Sequence, residues 1–108
     1  MATKANLVID QGATYEVTLD LTDENGDILQ LTGYSANAQM RKWYTSTNST
    51  SFSTDINAIA GTISLSLTAG QTANLTAGRY VYDVEVTSSG VISRIIEGIV
   101  TVTPNVTR

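Results

Sequence analysis

From Tyr15 to Thr22 the chain alternates without a break: Tyr15, Val17, Leu19 and Leu21 are apolar, and Glu16, Thr18, Asp20 and Thr22 between them are polar. A period of two sends the two sets to opposite sides of an extended backbone, so this segment buries one face and solvates the other only as a strand. The pattern returns in Thr62–Thr68, where Ile63, Leu65 and Leu67 alternate with hydroxyl residues. It returns again in Arg79–Thr87, with Tyr80, Tyr82, Val84 and Val86 on one side and Asp83 and Glu85 on the other. Thr, Ser, Val and Ile dominate the chain, which favours half-buried strands over helices.

The remaining segments fit between these strands. Asn6–Asp10 reads as a short first strand ended by Gln11-Gly12, and Asp23–Asp27 as a turn in which Asn25-Gly26 supplies positive φ. Ile28–Leu31 returns, Thr32-Gly33 breaks, and Tyr34–Trp43 forms a strand whose small inner residues Ala36 and Ala38, with Met40, allow two sheets to approach closely. Tyr44–Ser51 is a Ser/Thr/Asn tract with Tyr44 as its sole apolar anchor. Ordering backbone costs roughly 1–2 kcal/mol per residue, so an exposed, mobile loop is expected there. Phe52, Thr54, Ile56 and Ala58 restart the alternation, and Ala60-Gly61 turns the chain.

Thr68-Ala69-Gly70-Gln71 has the spacing of a capping box, predicting one helical turn as far as about Leu75. Ser88-Ser89-Gly90 predicts a hairpin, Val91–Thr103 a long last strand stopped by Pro104, and Gly98 a bulge or a close backbone approach. The sum is a single all-β domain over residues 1–108, an antiparallel immunoglobulin-like β-sandwich of about seven to eight strands with one short helical turn. Val17, Leu19, Leu21, Ile63, Leu65, Tyr82 and Val84 are expected in its core.

The chemistry such a domain can carry is narrow. The chain has neither cysteine nor histidine, which removes disulfides, thiolate metal sites and the commonest general base together. Its net charge is −4, and Arg41-Lys42 is its one adjacent cationic pair, so no basic patch for nucleic acid is expected. No apolar run reaches the roughly 20 residues of a membrane span or forms a signal peptide at the N-terminus. A product made in the cytoplasm, with no membrane contact, is the expectation, and the three Asn-x-Thr matches at Asn48, Asn74 and Asn105 read as chance.

Asp23, Asn25 and Asp27 occupy alternate positions as at the start of a calcium loop. Gly26, however, is fourth rather than sixth, and Tyr34 stands at the twelfth position where a bidentate Glu belongs. A hairpin turn accounts for them, and no metal or other cofactor is expected. Asp83 and Glu85, with Glu16 or Asp20 nearby, have the residue types of a glycoside-cleaving carboxylate pair, but such a site needs a cleft and aromatic platforms for sugar, and with one Trp in the chain an outward, solvated face is the reading. Nucleophilic Ser or Thr would need Lys4 or Lys42 as base. Arg41, Lys42, Trp43 and Tyr44 are different: Trp, Tyr and Arg are the usual anchors of interfaces. Either they form a contact surface or Trp43 covers one end of the sandwich.

Three segments taken in order add a resemblance. They are Val8-Ile9-Asp10-Gln11-Gly12 with the Tyr15–Thr22 strand, Gly26-Asp27 and Leu31-Thr32-Gly33-Tyr34; then Ala38-Gln39-Met40-Arg41-Lys42; then Leu67–Ala73, Ala77–Val86 and Glu97–Pro104. This order resembles small virion proteins of tailed bacteriophages, those of cyanobacteria above all, and is similar to the immunoglobulin-like N-terminal domain of phage baseplate upper proteins. The resemblance implies a non-enzymatic structural protein of the virion in tail, baseplate or fibre attachment. Such a protein would be made in the host cytoplasm and held by other virion proteins or by self-association in a symmetric assembly. A capsid decoration protein and a carbohydrate- or cell-surface-binding module are the alternatives.

Overall fold

The computed structural model describes residues 3–21 and 31–106. Within them the order of elements is β1 (Thr3–Lys4), β2 (Leu7–Asp10), β3 (Tyr15–Asp20), β4 (Ser35–Arg41), β5 (Thr50–Ser51), β6 (Ser53–Asn57), β7 (Thr62–Leu67), α1 (Ala69–Ala73), β8 (Gly78–Ser88) and β9 (Val91–Thr103). The larger sheet runs β1/β2, β9, β8, β4, β5, with β1 and β2 both paired to the same strand, and the smaller sheet runs β3, β7, β6. Two such sheets packed face to face are the all-β, immunoglobulin-like sandwich that the alternation predicts.

The alternation reads directly into burial. In β7, the central strand of the smaller sheet, Ile63, Leu65 and Leu67 are buried and face Tyr82, Val84 and Val86 of β8 within one core that also holds Met40, Val100 and Val102. Leu21 is buried as expected, whereas Val17 and Leu19 are only half-buried against that core. Their strand, β3, is an edge of the smaller sheet, so the core covers them from one side only. Phe52 meets Tyr15 at a tilt and Tyr82 edge to face, with centroids 6.4 and 6.3 Å apart, which ties β3, the β5–β6 junction and β8 together.

Strand pairings are antiparallel throughout the described residues except at one edge, where β1 and β2 run parallel to β9. The chain then crosses from the larger sheet to the smaller through residues 11–14. Strand β1 begins before Asn6, where the sequence pattern starts the first strand, and is separated from β2 by Ala5 and Asn6.

The capping box forms as spaced. Gln71 donates its backbone N–H to the Thr68 hydroxyl at 3.2 Å, and the Gln71 side chain accepts from the Thr68 N–H at 2.8 Å. Thr72, the one buried polar residue among those described, accepts from the Gly12 N–H at 3.1 Å and donates to the Ala13 carbonyl at 2.8 Å, pinning α1 to the crossing segment. The Tyr80 hydroxyl reaches back to the Thr76 carbonyl at 2.6 Å, the corner contact found where sandwiches of this type enter the strand after the helical turn.

Ser89 and Gly90, both at positive φ (51° and 81°), make the two-residue β8–β9 hairpin. The bulge in β9 falls at Ile95, because Val84 pairs with Ile96 and Glu85 with Arg94. Gly98 instead marks the close approach: a Cβ there would run into the Ala5 carbonyl.

The tract at 44–51 is more ordered in its pairing than its composition predicts. Thr50 and Ser51 form β5 against Met40 and Gln39, and the preceding residues form a turn tied back to β4. The predicted turn at Asp23–Asp27, the strand from Ile28 and the calcium-like spacing lie outside the described residues; Leu31, where description resumes, is buried.

Candidate functional site

Strand β4 ends at Arg41, whose alternation places it on the outer face of the larger sheet opposite Val81. One Arg41 guanidinium nitrogen donates to the Ser46 carbonyl at 2.6 Å and another to Gln39 at 3.1 Å, while the Ser46 N–H returns to the Trp43 carbonyl. These bonds close a turn that leaves the end of the sheet. Lys42 lies along the neighbouring strand, with its ammonium 5.0 Å from the centre of the Tyr80 ring, a cation–π contact.

Because the turn projects past the sheet, its aromatics have nothing to bury against. Trp43 is 59% exposed and Tyr44 80% exposed. The structure therefore brings Arg41, Lys42, Trp43 and Tyr44 together on one projecting turn, and Trp43 does not cover the core. The two rings serve different surfaces. Trp43 borders a recess of about 550 Å³ between the turn and the α1–β8 connection, shared with Asn48, Asn74, Thr76 and Tyr80. Tyr44 lies toward the outer face of the larger sheet, beside a shallow concavity of about 390 Å³ that includes Gln39, Asp83 and Arg94, and another of about 310 Å³ with Lys4, Glu97 and Ile99.

The carboxylates divide between the two faces. Asp83 and Glu85 share the outer face of β8, as their spacing requires, and Arg94 bridges Asp83 at 3.2 Å and Glu97 at 3.5 Å. Glu16 and Asp20 point outward from β3 in the smaller sheet, on the opposite side of the sandwich, so they do not join Asp83 and Glu85 in a carboxylate pair. Among the described residues no three His, Cys, Asp or Glu side chains converge as a metal site would need, and no helix is long and apolar enough to cross a membrane.

Arg79 lies at the same end of the larger sheet as the cationic turn, a placement invisible in sequence order. It is exposed, it follows Gly78, and Lys42 extends along Gly78 and Tyr80 on either side of it. Continuing the antiparallel β4–β8 pairing beyond Arg41 and Val81 would have found it.

No protein-family model matches the chain, and no curated protein matches it. Among solved structures it is similar to InlP of Listeria monocytogenes, with a TM-score of 0.55 and 19% sequence identity over 94% of this chain. The chain spans 28% of that protein's chain. At this identity the likeness concerns the fold alone.

Proposed function

We propose that this protein is a non-enzymatic structural component of a tailed-phage virion, in tail, baseplate or fibre attachment, that works through protein–protein contacts at the Arg41–Tyr44 turn. The observation that carries the contact surface is the exposure of Trp43 and Tyr44 on a turn held by the Arg41–Ser46 bond. Two large rings kept in water beside two cations give nothing to the fold and supply the residue types that dominate interface energies. The ordered resemblance of the three sequence segments supports the virion assignment. The test is mass spectrometry of purified particles together with a Trp43→Ala/Tyr44→Ala variant. The variant is expected to keep its melting temperature and to be lost from particles; full incorporation of the variant would overturn the reading.

One observation favours a second reading as a carbohydrate-binding module. Trp43 borders a recess whose Asn48 and Asn74 carboxamides make no side-chain hydrogen bond among the described residues, and an aromatic platform with free amides suits a sugar. Trp43 is the sole tryptophan, so titration with neutral and acidic oligosaccharides reads that recess directly by fluorescence. A saturable change supports sugar binding; no change at tens of millimolar removes it.

A further inference from the structure

The two outer faces of the sandwich carry different charge. Every described lysine and arginine (Lys4, Arg41, Lys42, Arg79 and Arg94) lies on the larger sheet or on the turn leaving it. The outer face of the smaller sheet carries Glu16, Asp20 and Asp55 and no cation; the rest of it is short and polar, as at Thr18, Ser64 and Ser66. Among the described residues the ion pairs are those of Arg94, and neither Lys42 and Arg79 on one side nor Asp20 and Asp55 on the other has an ion-pair partner there.

These unpaired charges also lie at opposite ends. Phe52 N–H bonds the Ala38 carbonyl and the Thr54 hydroxyl bonds the Ala36 carbonyl, so β6 runs along β4 away from Arg41. Asn57 and Asp20 both pair with Thr62 at that far end, beside the hairpin that carries Ile59, 93% exposed. Arg41, Lys42, Arg79 and the two exposed rings occupy the near end.

We propose that the protein assembles head to tail with further copies of itself. The cationic, aromatic end of the larger sheet in one copy docks on the anionic outer face of the smaller sheet in the next, around Asp20, Asp55 and Ile59. The proposal rests on the reading of the Arg41–Tyr44 turn as a contact surface and names its partner. Charge complementarity selects a second copy. The acceptor face is also cheap to bury, because short hydroxyl side chains lose little rotamer freedom. The donor and acceptor patches lie at opposite ends, so one contact leaves a donor and an acceptor free. The contact is heterologous and propagates into a ring or a filament.

Sedimentation velocity tests this on the full chain. The wild-type protein associates with rising concentration at about 0.02 M salt and dissociates at about 0.5 M, where the Debye length falls to about 4 Å. Lys42→Glu/Arg79→Glu loses its donor patch and Asp20→Lys/Asp55→Lys its acceptor patch, all four at exposed positions, and circular dichroism checks that both variants fold. Each alone is expected to stay monomeric. Their equimolar mixture is expected to associate again, because the unchanged cationic end of one variant meets the unchanged anionic face of the other and the two reversed patches complement each other in turn. A mixture that stays monomeric overturns the proposal, as does a wild-type protein that is monomeric at low salt. Loss of the Trp43→Ala/Tyr44→Ala variant from particles in either case would leave the contact-surface reading standing with a different partner.

Discussion

The Tyr82 hydroxyl donates to the Ala5 carbonyl at 2.5 Å, joining residues 77 positions apart. Gly98 makes this contact possible. It pairs with Tyr82 across β8 and β9, and the Ala5 carbonyl occupies the space a Cβ at residue 98 would need. Here β1 gives way to β2: the Asn6 side chain, rather than backbone, accepts from the Ile99 N–H at 3.1 Å. One glycine, one tyrosine and one asparagine thus fasten the parallel edge strand to the sheet.

Replacing Gly98 by alanine forces the Ala5 backbone away from Tyr82. Because the obstacle is backbone rather than a flexible side chain, a loss of about 1–3 kcal/mol is expected. Urea denaturation should show a lower midpoint with an unchanged slope.

Tyr82→Phe leaves the Ala5 carbonyl without its partner, and about 1–3 kcal/mol of stability should go with it. The same hydroxyl sets an alkaline limit. Burial, with a smaller contribution from neighbouring Tyr15, pushes the Tyr82 pKa up to about 12 from an ordinary value of 10.0. Both states are protonated below pH 10, so that part of the stability is fully present there. Between pH 10 and 12 the unfolded chain ionises first, and stability on the order of 2 kcal/mol is lost. Tyr82→Phe should show a shallower decline over that window in melts taken at successive pH values.

Thr72→Val keeps the volume of a buried side chain but removes the hydroxyl that serves Gly12 and Ala13. The two backbone groups become unpaired, at about 1–3 kcal/mol each as an upper bound, since water can reach the exposed crossing segment. Hydrogen exchange at the Gly12 amide should accelerate in the variant.

Trp43→Ala should change stability by no more than about 0.5 kcal/mol, because the ring is largely in water. A loss of several kcal/mol in thermal or urea melts would make Trp43 part of the fold and remove it as a contact residue.

Dialysis against EDTA should leave the melting temperature unchanged. Asp23, Asn25 and Asp27 lack the glycine and glutamate that complete a calcium loop, and a drop of several degrees would give that segment a cation.

Much of the fold was legible because each local signal had one physical solution. Alternation made β3, β7 and β8 strands, Thr68 and Gln71 could satisfy each other's backbone only in a helical turn, and Ser89-Gly90 permitted a two-residue hairpin. The turn at Arg41–Tyr44 was legible as a cluster for the same reason, since four neighbouring residues need no fold to bring them together. The pairing of Thr50 and Ser51 with β4 was not legible, because polar residues carry no periodic signal and only the edge of β4 recruits them.

The sequence by itself therefore determined which residues become strands, which face of each strand is apolar, and where most turns fall, because these follow from side chains one to four positions apart. Tertiary structure alone decided which strands lie side by side and in which direction. It set β1 and β2 parallel to β9, placed Lys42 over the Tyr80 ring, put the Ala5 carbonyl over Gly98, and sent Glu16 and Asp20 to the side away from Asp83 and Glu85. Alternation says that a side chain faces outward but not onto which sheet, and that choice depends on how two sheets close over a shared core, a property of the whole chain.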